Sequence, residues 1–600
     1  MSQISSSFHL ELLNILSHNV SLQMLEGGFD ELSDPELKAF RENLKLALDE
    51  NSGVSWLEIV GNYNYLFHER GPVNLEKKLF AAFSSKTHSI PMYRGLPRRY
   101  KREQPAISQL HKNFIHLPTL KRLASEKMIF KIYDGMEHPG MAVITVFTWV
   151  IQDGWGDLAA SIDTVEILKR RFPDLQINSV VLFPQKMGTP PMPKGADEKR
   201  VVYYDEVESI SLGEEILKML RHSDLILQTP TFYPFFENLR EKTEALSYSS
   251  KLPSWSSIGE YGFIESQWHH PQSGNRSLGL HFLEKGVFIK SVLKDENFSD
   301  LQNAEILAWL FGSHSPGLEE IGYYKREFHF HFAYLASPVG GAVYLNALQK
   351  MYENDSKGID ICSPDIHWLI GYAQMQAEKG SPILEGVSVE LYYGQSMAVL
   401  TEGEKKMRIF CPKTISPQDF HLLIHLSDGW VAVRGNQSFS EALSTEKPFF
   451  FDVREHSRNF FKDVLALAEN RIQAYESTIE VLKETGKIFL QKGGLGDAGQ
   501  WVDETYFQMN SEPWKEIAEK IGAALQNKNC SRGFQVFSQI IKKEHSFNEF
   551  LSHFVQRELC HRAYPFAKIV EEEAMAPFLM GRSSIDAASS ELKKKLAYGR

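Results

Sequence analysis

The spacing of hydrophobic residues changes along the chain. Residues 1–138 repeat apolar positions at helical spacing, as Leu37, Phe40 and Leu44 do, and the chain returns to that spacing after 470. Between these stretches, continuous apolar runs alternate with amphipathic ones, which is typical of buried strands followed by helices. The pattern predicts a helical N-terminal extension, two α/β domains and a helical C-terminal extension, at residues 1–138, 139–325, 326–470 and 471–600.

The first α/β domain begins with the apolar run Met141–Ile151, which suits a strand buried on both faces of a parallel sheet. A turn rich in glycine follows, and apolar residues at helical spacing then predict a helix that ends near Phe172. Further strands are predicted at Ile177–Phe183, Val201–Tyr204 and Asp224–Gln228, with a helix at Leu212–Arg221.

The second α/β domain repeats this alternation from Glu327 onward. Its predicted strands are 327–335, 387–393, 398–401, 407–411, 429–433 and 447–451. Its predicted helices are 342–352, 416–426 and 438–444, after a loop at 337–341, and 456–490 forms one long helix or two. The fold class is therefore α/β with two doubly wound, Rossmann-like domains, which we expect to face a cleft that holds a ligand.

Composition narrows the function classes. Hydrophobic residues make up 43% and charged residues 24% of the 600 residues, as in ordinary globular proteins, and the net charge of −11 gives no reason to favour nucleic acid. The longest apolar run is about half of the roughly 20 residues that a membrane helix needs, and the N-terminus does not resemble a signal peptide. Four scattered cysteines favour a reducing compartment. We expect a soluble cytoplasmic protein; secretion into a host cell as an effector stays open.

Candidate chemistry follows the first buried strand. Asp153 and Asp157 flank two glycines between that strand and the next helix, at the carboxyl edge of the sheet. A carboxylate there can act as a catalytic base, and it can also simply cap the helix. The pair of acids favours catalysis, with helix capping as the alternative.

A second strand–turn–helix sequence lies in the second domain and runs from Val433 to Leu443. Its turn offers Arg434, backbone amides and a serine hydroxyl at a helix N-terminus, which suits a pyrophosphate. Glu441 lies one helical turn further along and can hold ribose hydroxyls. The alternative is an ordinary helix start capped by Ser438. The candidate donor-binding residues in this segment are Arg434, Gly435, Asn436, Gln437, Ser438 and Glu441.

Other motifs carry less weight. Gly494–Gly499 fits a dinucleotide-binding glycine pattern, but no strand with a ribose-binding acid follows it, so it is expected to be a loop. His329 and His331 share a strand face without an obvious third ligand, which favours packing over metal binding. The chain also lacks an Asp-x-Asp motif. We therefore expect no metal and no cofactor, with Arg and helix dipoles neutralising any diphosphate.

Four segments resemble the bacterial protein-arginine rhamnosyltransferases, GT-B enzymes that modify a translation elongation factor. Residues 153–159 are similar to that family's acidic turn, and Gly262–Val287 to a glycine-rich segment. Phe332–Tyr334 is similar to the end of its second-domain strand. The fourth segment, 417–439, resembles a block of that family that ends V-R-G-E-D-S-F. The resemblance covers about 141–460.

The resemblance implies roles for residues of both domains. Asp153 and Asp157 would be the catalytic carboxylates. The implied donor-site residues are Gln418 and Phe420 against the base, Arg434, Gln437 and Ser438 on the diphosphate, and Tyr334 lining the pocket.

These roles describe an inverting, metal-independent glycosyltransferase that uses a nucleotide sugar and acts on a protein (arginine) side chain. The alternatives are a lipid or saccharide acceptor, or a nucleotide-sugar epimerase. A further alternative is a non-catalytic binding protein, which is favoured by Asn436 at the position where the family has an acid.

Overall fold

The structure is a computed structural model. In the part of the chain that it describes, every helix is too short or too polar to span a lipid bilayer. It describes residues 126, 128–134, 136, 140–151, 155–207, 210–229, 239, 253–259, 261, 278–280, 285–290, 297–394, 396–453, 457–490, 513–579 and 583–598.

The strands lie in two groups. They are β1 Val143–Trp149, β2 Gln176–Pro184, β3 Glu198–Tyr204, β4 Leu225–Gln228, β5 Ser254–Ser257, β6 Phe328–Phe332, β7 Gly358–Cys362, β8 Val387–Tyr393, β9 Ser396–Thr401, β10 Lys405–Cys411, β11 Val431–Val433 and β12 Phe449–Phe451.

Helices follow most strands and form the C-terminal part of the chain. They are α1 Trp155–Arg171, α2 Glu214–His222, α3 Ala304–Phe311, α4 Leu318–Glu327, α5 Pro338–Met351, α6 His367–Glu378, α7 Pro417–Leu426, α8 Asn436–Ser444, α9 Arg458–Arg471, α10 Glu476–Leu490, α11 Pro513–Gln526, α12 Lys528–Glu544, α13 Phe547–Ala563, α14 Pro565–Leu579 and α15 Ile585–Tyr598.

The described residues form two compact units. Unit 1 contains those up to Gly286 together with those from Phe547 onward, and unit 2 runs from Val287 to Ser546. The sequence pattern places the boundary between the α/β domains at 325/326 instead. The difference arises because α3 and α4 precede β6 but belong to its unit, where the Tyr324 hydroxyl donates to the buried Asp360 of β7 at 2.9 Å.

Unit 1 is built on a parallel sheet of order β3-β2-β1-β4-β5. Both faces of β2 are covered, which explains its continuous apolar sequence. Val180 and Leu182 pack in a cluster with Ile216 of α2, while Val181 and Phe183 face the cluster that contains Leu158 of α1. The predicted strands β1 to β4 are confirmed.

The C-terminal helices complete unit 1. A buried cluster joins α13, α14 and α15 to the helical residues 128–133. Arg557 of α13 binds Glu571 of α14 through two hydrogen bonds of 2.9 and 2.5 Å. Tyr133 lies within hydrogen-bond distance of His561, at 3.0 Å.

Unit 2 has a five-stranded sheet of order β6-β7-β10-β8-β9, parallel except for the antiparallel β8–β9 hairpin. Strands β11 and β12 pair in parallel, and Ala432 of β11 bridges to Ala333, directly after β6. The chain thus passes from β6 to β7 on one side and returns as β11 on the other. The prediction of an α/β chain with two Rossmann-like units is confirmed.

Several local predictions need correction. The predicted loop 337–341 is already helical, because α5 begins at Pro338 with Ser337 as its N-cap. For the segment 456–490 the sequence left one helix or two open, and the structure has two, α9 and α10. The pattern also missed β5 and β7. Strand β5 has no apolar run, and β7 carries Asp360, which Arg408 of β10 neutralises through hydrogen bonds of 2.7 and 2.5 Å.

Candidate functional site

The candidate donor site lies at the carboxyl ends of β6, β7 and β11 in unit 2. Here the strand order reverses, because β7 and β11 follow β6 on opposite sides. Ligands of open α/β sheets bind at such reversal points, outside the carboxyl ends of the strands. Helices α5 and α8 both begin at this edge, so their N-terminal amides and positive dipole ends lie there too.

Arg434, which follows β11, is the central side chain of this edge. Its Nη1 donates to Asp365 Oδ2 at 2.8 Å and to the Leu335 carbonyl at 3.3 Å. Its guanidinium carbon lies 4.1 Å from the centre of the Tyr334 ring. Within the described part of the chain, Nε and Nη2 have no hydrogen-bond partner. The guanidinium is therefore fixed by one nitrogen and retains donors for a ligand.

Asp365, which sequence reasoning missed, lies beyond the carboxyl end of β7. Its Oδ1 accepts hydrogen bonds from the His367 backbone amide and from the His367 ring, both at 2.9 Å. Burial opposes ionisation, but the His367 hydrogen bonds and the Arg434 charge outweigh it and hold the pKa of Asp365 below its ordinary value. No sequence signal pointed to Asp365, because β7 itself was not predicted.

Tyr334 lies between Arg434 and Phe420. The rings of Tyr334 and Phe420 meet edge to face, with their centres 5.3 Å apart. The Phe420 ring also meets the Phe332 ring edge to face, with the ring centres 4.9 Å apart. The structure therefore brings together three residues, Tyr334, Phe420 and Arg434, that the family resemblance assigns to the donor site. Gln418 is exposed in the first turn of the same helix as Phe420, and its contact with a base stays a prediction.

The turn before α8 is held by its own serine. The Ser438 hydroxyl accepts from the Gly435 amide at 3.0 Å and donates to the Gly435 carbonyl at 2.9 Å. This arrangement is the helix-start role considered as the alternative, although Ser438 lies inside the helix and Gly435 is the N-cap. Binding of diphosphate by the Ser438 hydroxyl would have to compete with these bonds.

Three further donor-site candidates lie on α8. Gln437 and Glu441 are buried, and the Asn436 Oδ1 is a buried atom without a partner among the described residues. Glu441 lies between two basic groups, with Oε1 3.8 Å from Lys290 Nζ and Oε2 3.9 Å from His421 Nδ1. Both separations exceed hydrogen-bond length. The proposed contact of Glu441 with ribose stays a prediction.

The catalytic candidates belong to unit 1. Asp157 is buried in the first turn of α1, at the carboxyl end of β1. Burial raises the pKa of Tyr204, a hydrogen bond from Trp149 opposes this, and the charge of Asp157 raises the pKa further. The Tyr204 hydroxyl donates to the Val150 carbonyl at 2.6 Å. Asp153 lies outside the described residues.

The two histidines considered as metal ligands, His329 and His331, lie on β6 of unit 2. His331 is buried against the Trp430 carbonyl at 2.9 Å, and burial lowers its pKa to about 4. His329 binds Asp355 at 2.9 Å. Among the described residues, no group of three or more His, Cys, Asp or Glu side chains has an arrangement that could hold a metal. The glycine pattern at 494–499 lies outside them.

Comparison with known proteins gives similarity at the level of fold. No family model matches the sequence, and no curated protein matches it significantly. Solved structures that match include a glycosyl transferase of family 9 from Veillonella parvula, with 12% identity, coverage of 53% of this chain and 83% of that chain, and a TM-score of 0.25. A spinosyn rhamnosyltransferase in complex with thymidine diphosphate has 8% identity, coverage of 69% and 100%, and a TM-score of 0.32.

A third similar structure is a putative UDP-N-acetylglucosamine 2-epimerase from Listeria monocytogenes. It has 11% identity, coverage of 67% of this chain and 96% of that chain, and a TM-score of 0.30. The resemblance to arginine rhamnosyltransferases stays a prediction. At such identities and TM-scores, the functional argument rests on the side-chain geometry of this chain.

Proposed function

We propose that this protein is an inverting glycosyltransferase that takes a sugar from a nucleotide-sugar donor without a metal. The observation that carries the proposal is the fixed Arg434 guanidinium, which lies at the reversal point of the unit 2 sheet beside the N-terminus of α8. Its position is set by Asp365, by the Leu335 carbonyl and by the Tyr334 ring.

Glycosyl transfer releases a nucleoside diphosphate, so the site must stabilise negative charge as the bond to the sugar breaks. Arginine pairs well with phosphate oxygens, and a helix N-terminus adds backbone amides and a favourable dipole. In a half-buried site these fixed groups stabilise developing charge without reorganising. Arg434 with the first turn of α8 can therefore do the work that a divalent metal does elsewhere.

The remaining donor residues have proposed roles around this centre. Tyr334 and Phe420 supply ring faces and edges for the donor, and Gln418 adds a polar contact to its base. Gln437 and Asn436 are proposed for the diphosphate, and Glu441 for the ribose hydroxyls.

The acceptor is activated from unit 1 in this proposal. A base must remove or orient the acceptor proton, and Asp157, with Asp153 four positions earlier in the sequence, supplies the carboxylates. For a protein arginine acceptor, whose pKa exceeds about 12, the carboxylates would orient the guanidinium and localise its lone pair rather than deprotonate it.

A thermal-shift panel tests the proposal. The protein is melted in EDTA with UDP, TDP, GDP and their sugar conjugates, and one of these series should stabilise it. At 100 times its dissociation constant a ligand contributes about 2.7 kcal/mol. The best conjugate is then incubated with acceptor peptides, lipids and saccharides, and released nucleoside diphosphate is measured.

The results of the two assays distinguish a glycosyltransferase from an epimerase and from a binding protein. Stabilisation in EDTA together with transfer supports the proposal, and stabilisation with isomerised sugar as the only product indicates an epimerase instead. Binding without any sugar chemistry indicates a binding protein. Stabilisation that requires magnesium or manganese, or no stabilisation by any series, would contradict the proposed donor site.

A further inference from the structure

The ion pair between Asp365 and Arg434 spans the end of β6. Asp365 lies beyond β7 on one side of that strand, and Arg434 lies beyond β11 on the other. We propose that Asp365 is a positioning residue that holds Arg434 in the geometry needed to bind a diphosphate. This inference deepens the proposed function and rests on it.

Asp365 is itself held firmly. Its Oδ1 is occupied by the His367 amide and ring, which leaves Oδ2 for Arg434. The backbone carbonyl of Asp365 accepts a hydrogen bond of 2.9 Å from the Ser363 hydroxyl. The Ser363 hydroxyl in turn accepts a hydrogen bond of 3.0 Å from the indole of the buried Trp368. Asp365 is thus anchored through side chain and backbone.

Anchoring matters because a free arginine side chain loses rotamer freedom whenever it binds a ligand. A guanidinium already immobilised by Asp365 and Tyr334 has met that cost before the ligand arrives, which strengthens binding by preorganisation. Asp365 engages only Nη1 of Arg434. The donors Nε and Nη2 therefore stay available to a phosphate.

The negative charge of Asp365 acts in the opposite direction, since it repels a diphosphate. That charge is largely compensated, because both carboxylate oxygens accept hydrogen bonds, one set from His367 and one from Arg434. We therefore expect fixation of Arg434 to outweigh repulsion. If repulsion dominated, removing Asp365 would strengthen nucleotide binding.

A double-mutant cycle tests whether Asp365 strengthens or weakens nucleotide binding. The dissociation constant of the nucleoside diphosphate selected by the panel is measured for wild type, Asp365→Ala, Arg434→Ala and the double variant. Asp365→Ala should weaken binding on the order of tenfold, as expected for coupled neighbours, and should have almost no further effect when Arg434 is already absent. Asp365→Asn, a smaller perturbation, should shift affinity in the same direction, and exposed Glu402→Ala controls for net charge.

A second measurement does not depend on nucleotide binding. Phenylglyoxal modification of Arg434, followed by peptide mass spectrometry, should be faster in Asp365→Ala than in wild type, while modification of the exposed Arg326 should be unchanged. If no nucleotide binds wild type, the proposed function fails, and this rate alone decides whether Asp365 holds Arg434. Unchanged Arg434 reactivity, unchanged or tighter nucleotide binding in Asp365→Ala, or fully additive effects in the cycle would each overturn the inference.

Discussion

Replacing Gly341 by alanine should destabilise unit 2 and loosen the donor site together. Gly341 lies in the first turns of α5, and a β-carbon added there would come within 2.1 Å of Trp368 Cε3 and 2.7 Å of Cζ3. Nonbonded carbons need about 3.5 Å or more. The indole must therefore move by more than an ångström, in a core where Trp368 is completely buried.

The cost follows from that overlap. Overpacking a close-packed core typically costs about 1–3 kcal/mol, occasionally more, and here the displaced ring also breaks its hydrogen bond to Ser363. Because Ser363 supports the Asp365 carbonyl, the disturbance reaches the partner of Arg434. Nucleoside diphosphate affinity should fall with stability.

Gly322 provides a matched control in the same unit. It also lies inside a helix, α4, but a β-carbon there meets nothing within 4 Å. Alanine at Gly322 should stabilise by up to about 1 kcal/mol, because glycine is the poorer helix former. Urea unfolding followed by near-ultraviolet circular dichroism measures both variants. Equal stability of Gly341→Ala and wild type would refute the packing argument.

The acids of unit 1 give two further predictions. Burial would raise the pKa of Glu571, but its hydrogen bonds with His561 and Arg557 and the Arg557 charge lower it from 4.5 to about 2. The ionised carboxylate therefore contributes about 3 kcal/mol above pH 4.5, which is lost as the pH falls toward 2. In urea unfolding, Glu571→Gln should cost about that much at pH 7 and progressively less below pH 4.5, with exposed Glu573→Gln as control; a gap independent of pH would refute this. Asp157→Asn should lower turnover about 10²–10⁴-fold with donor affinity intact. The control Glu166→Gln, at an exposed position of the same helix, should not lower turnover. Wild-type turnover in Asp157→Asn would mean that Asp157 only caps the helix.

Local patterns predicted the elements that carry the donor site. The apolar β11 followed by Arg434 and Gly435 predicted a strand, turn and helix, because each signal lies within a few residues of the next. Tyr334 and Phe420 lie on separate elements, so only the family resemblance assigned both to the donor site; their ring contact is a finding of the structure.

Features that depend on distant partners could not be predicted. Strand β7 was missed because the charge of Asp360 is neutralised by Arg408, which lies on another strand. Asp365 was missed with it. The return of the C-terminal helices to unit 1 depends on contacts between residues 128–136 and α13 to α15, such as that of Tyr133 with His561, which no local spacing reveals.

The role of Ser438 shows a finer limit. A serine at a helix start suits either a ligand or the backbone, and the sequence left both open. Only the observed geometry places its hydroxyl on the Gly435 amide and carbonyl. A serine hydroxyl can bond to backbone groups close to it in the chain, so its partner becomes known only with the conformation of the turn.

A crystal structure of the complex with a nucleoside diphosphate, grown in EDTA, would show whether Arg434 binds the diphosphate. We expect the diphosphate at the carboxyl edge of the unit 2 sheet, in hydrogen-bond contact with Arg434 and the first turn of α8, with Arg434 still paired to Asp365. A diphosphate bound elsewhere, or bound there without any contact to Arg434, would contradict it.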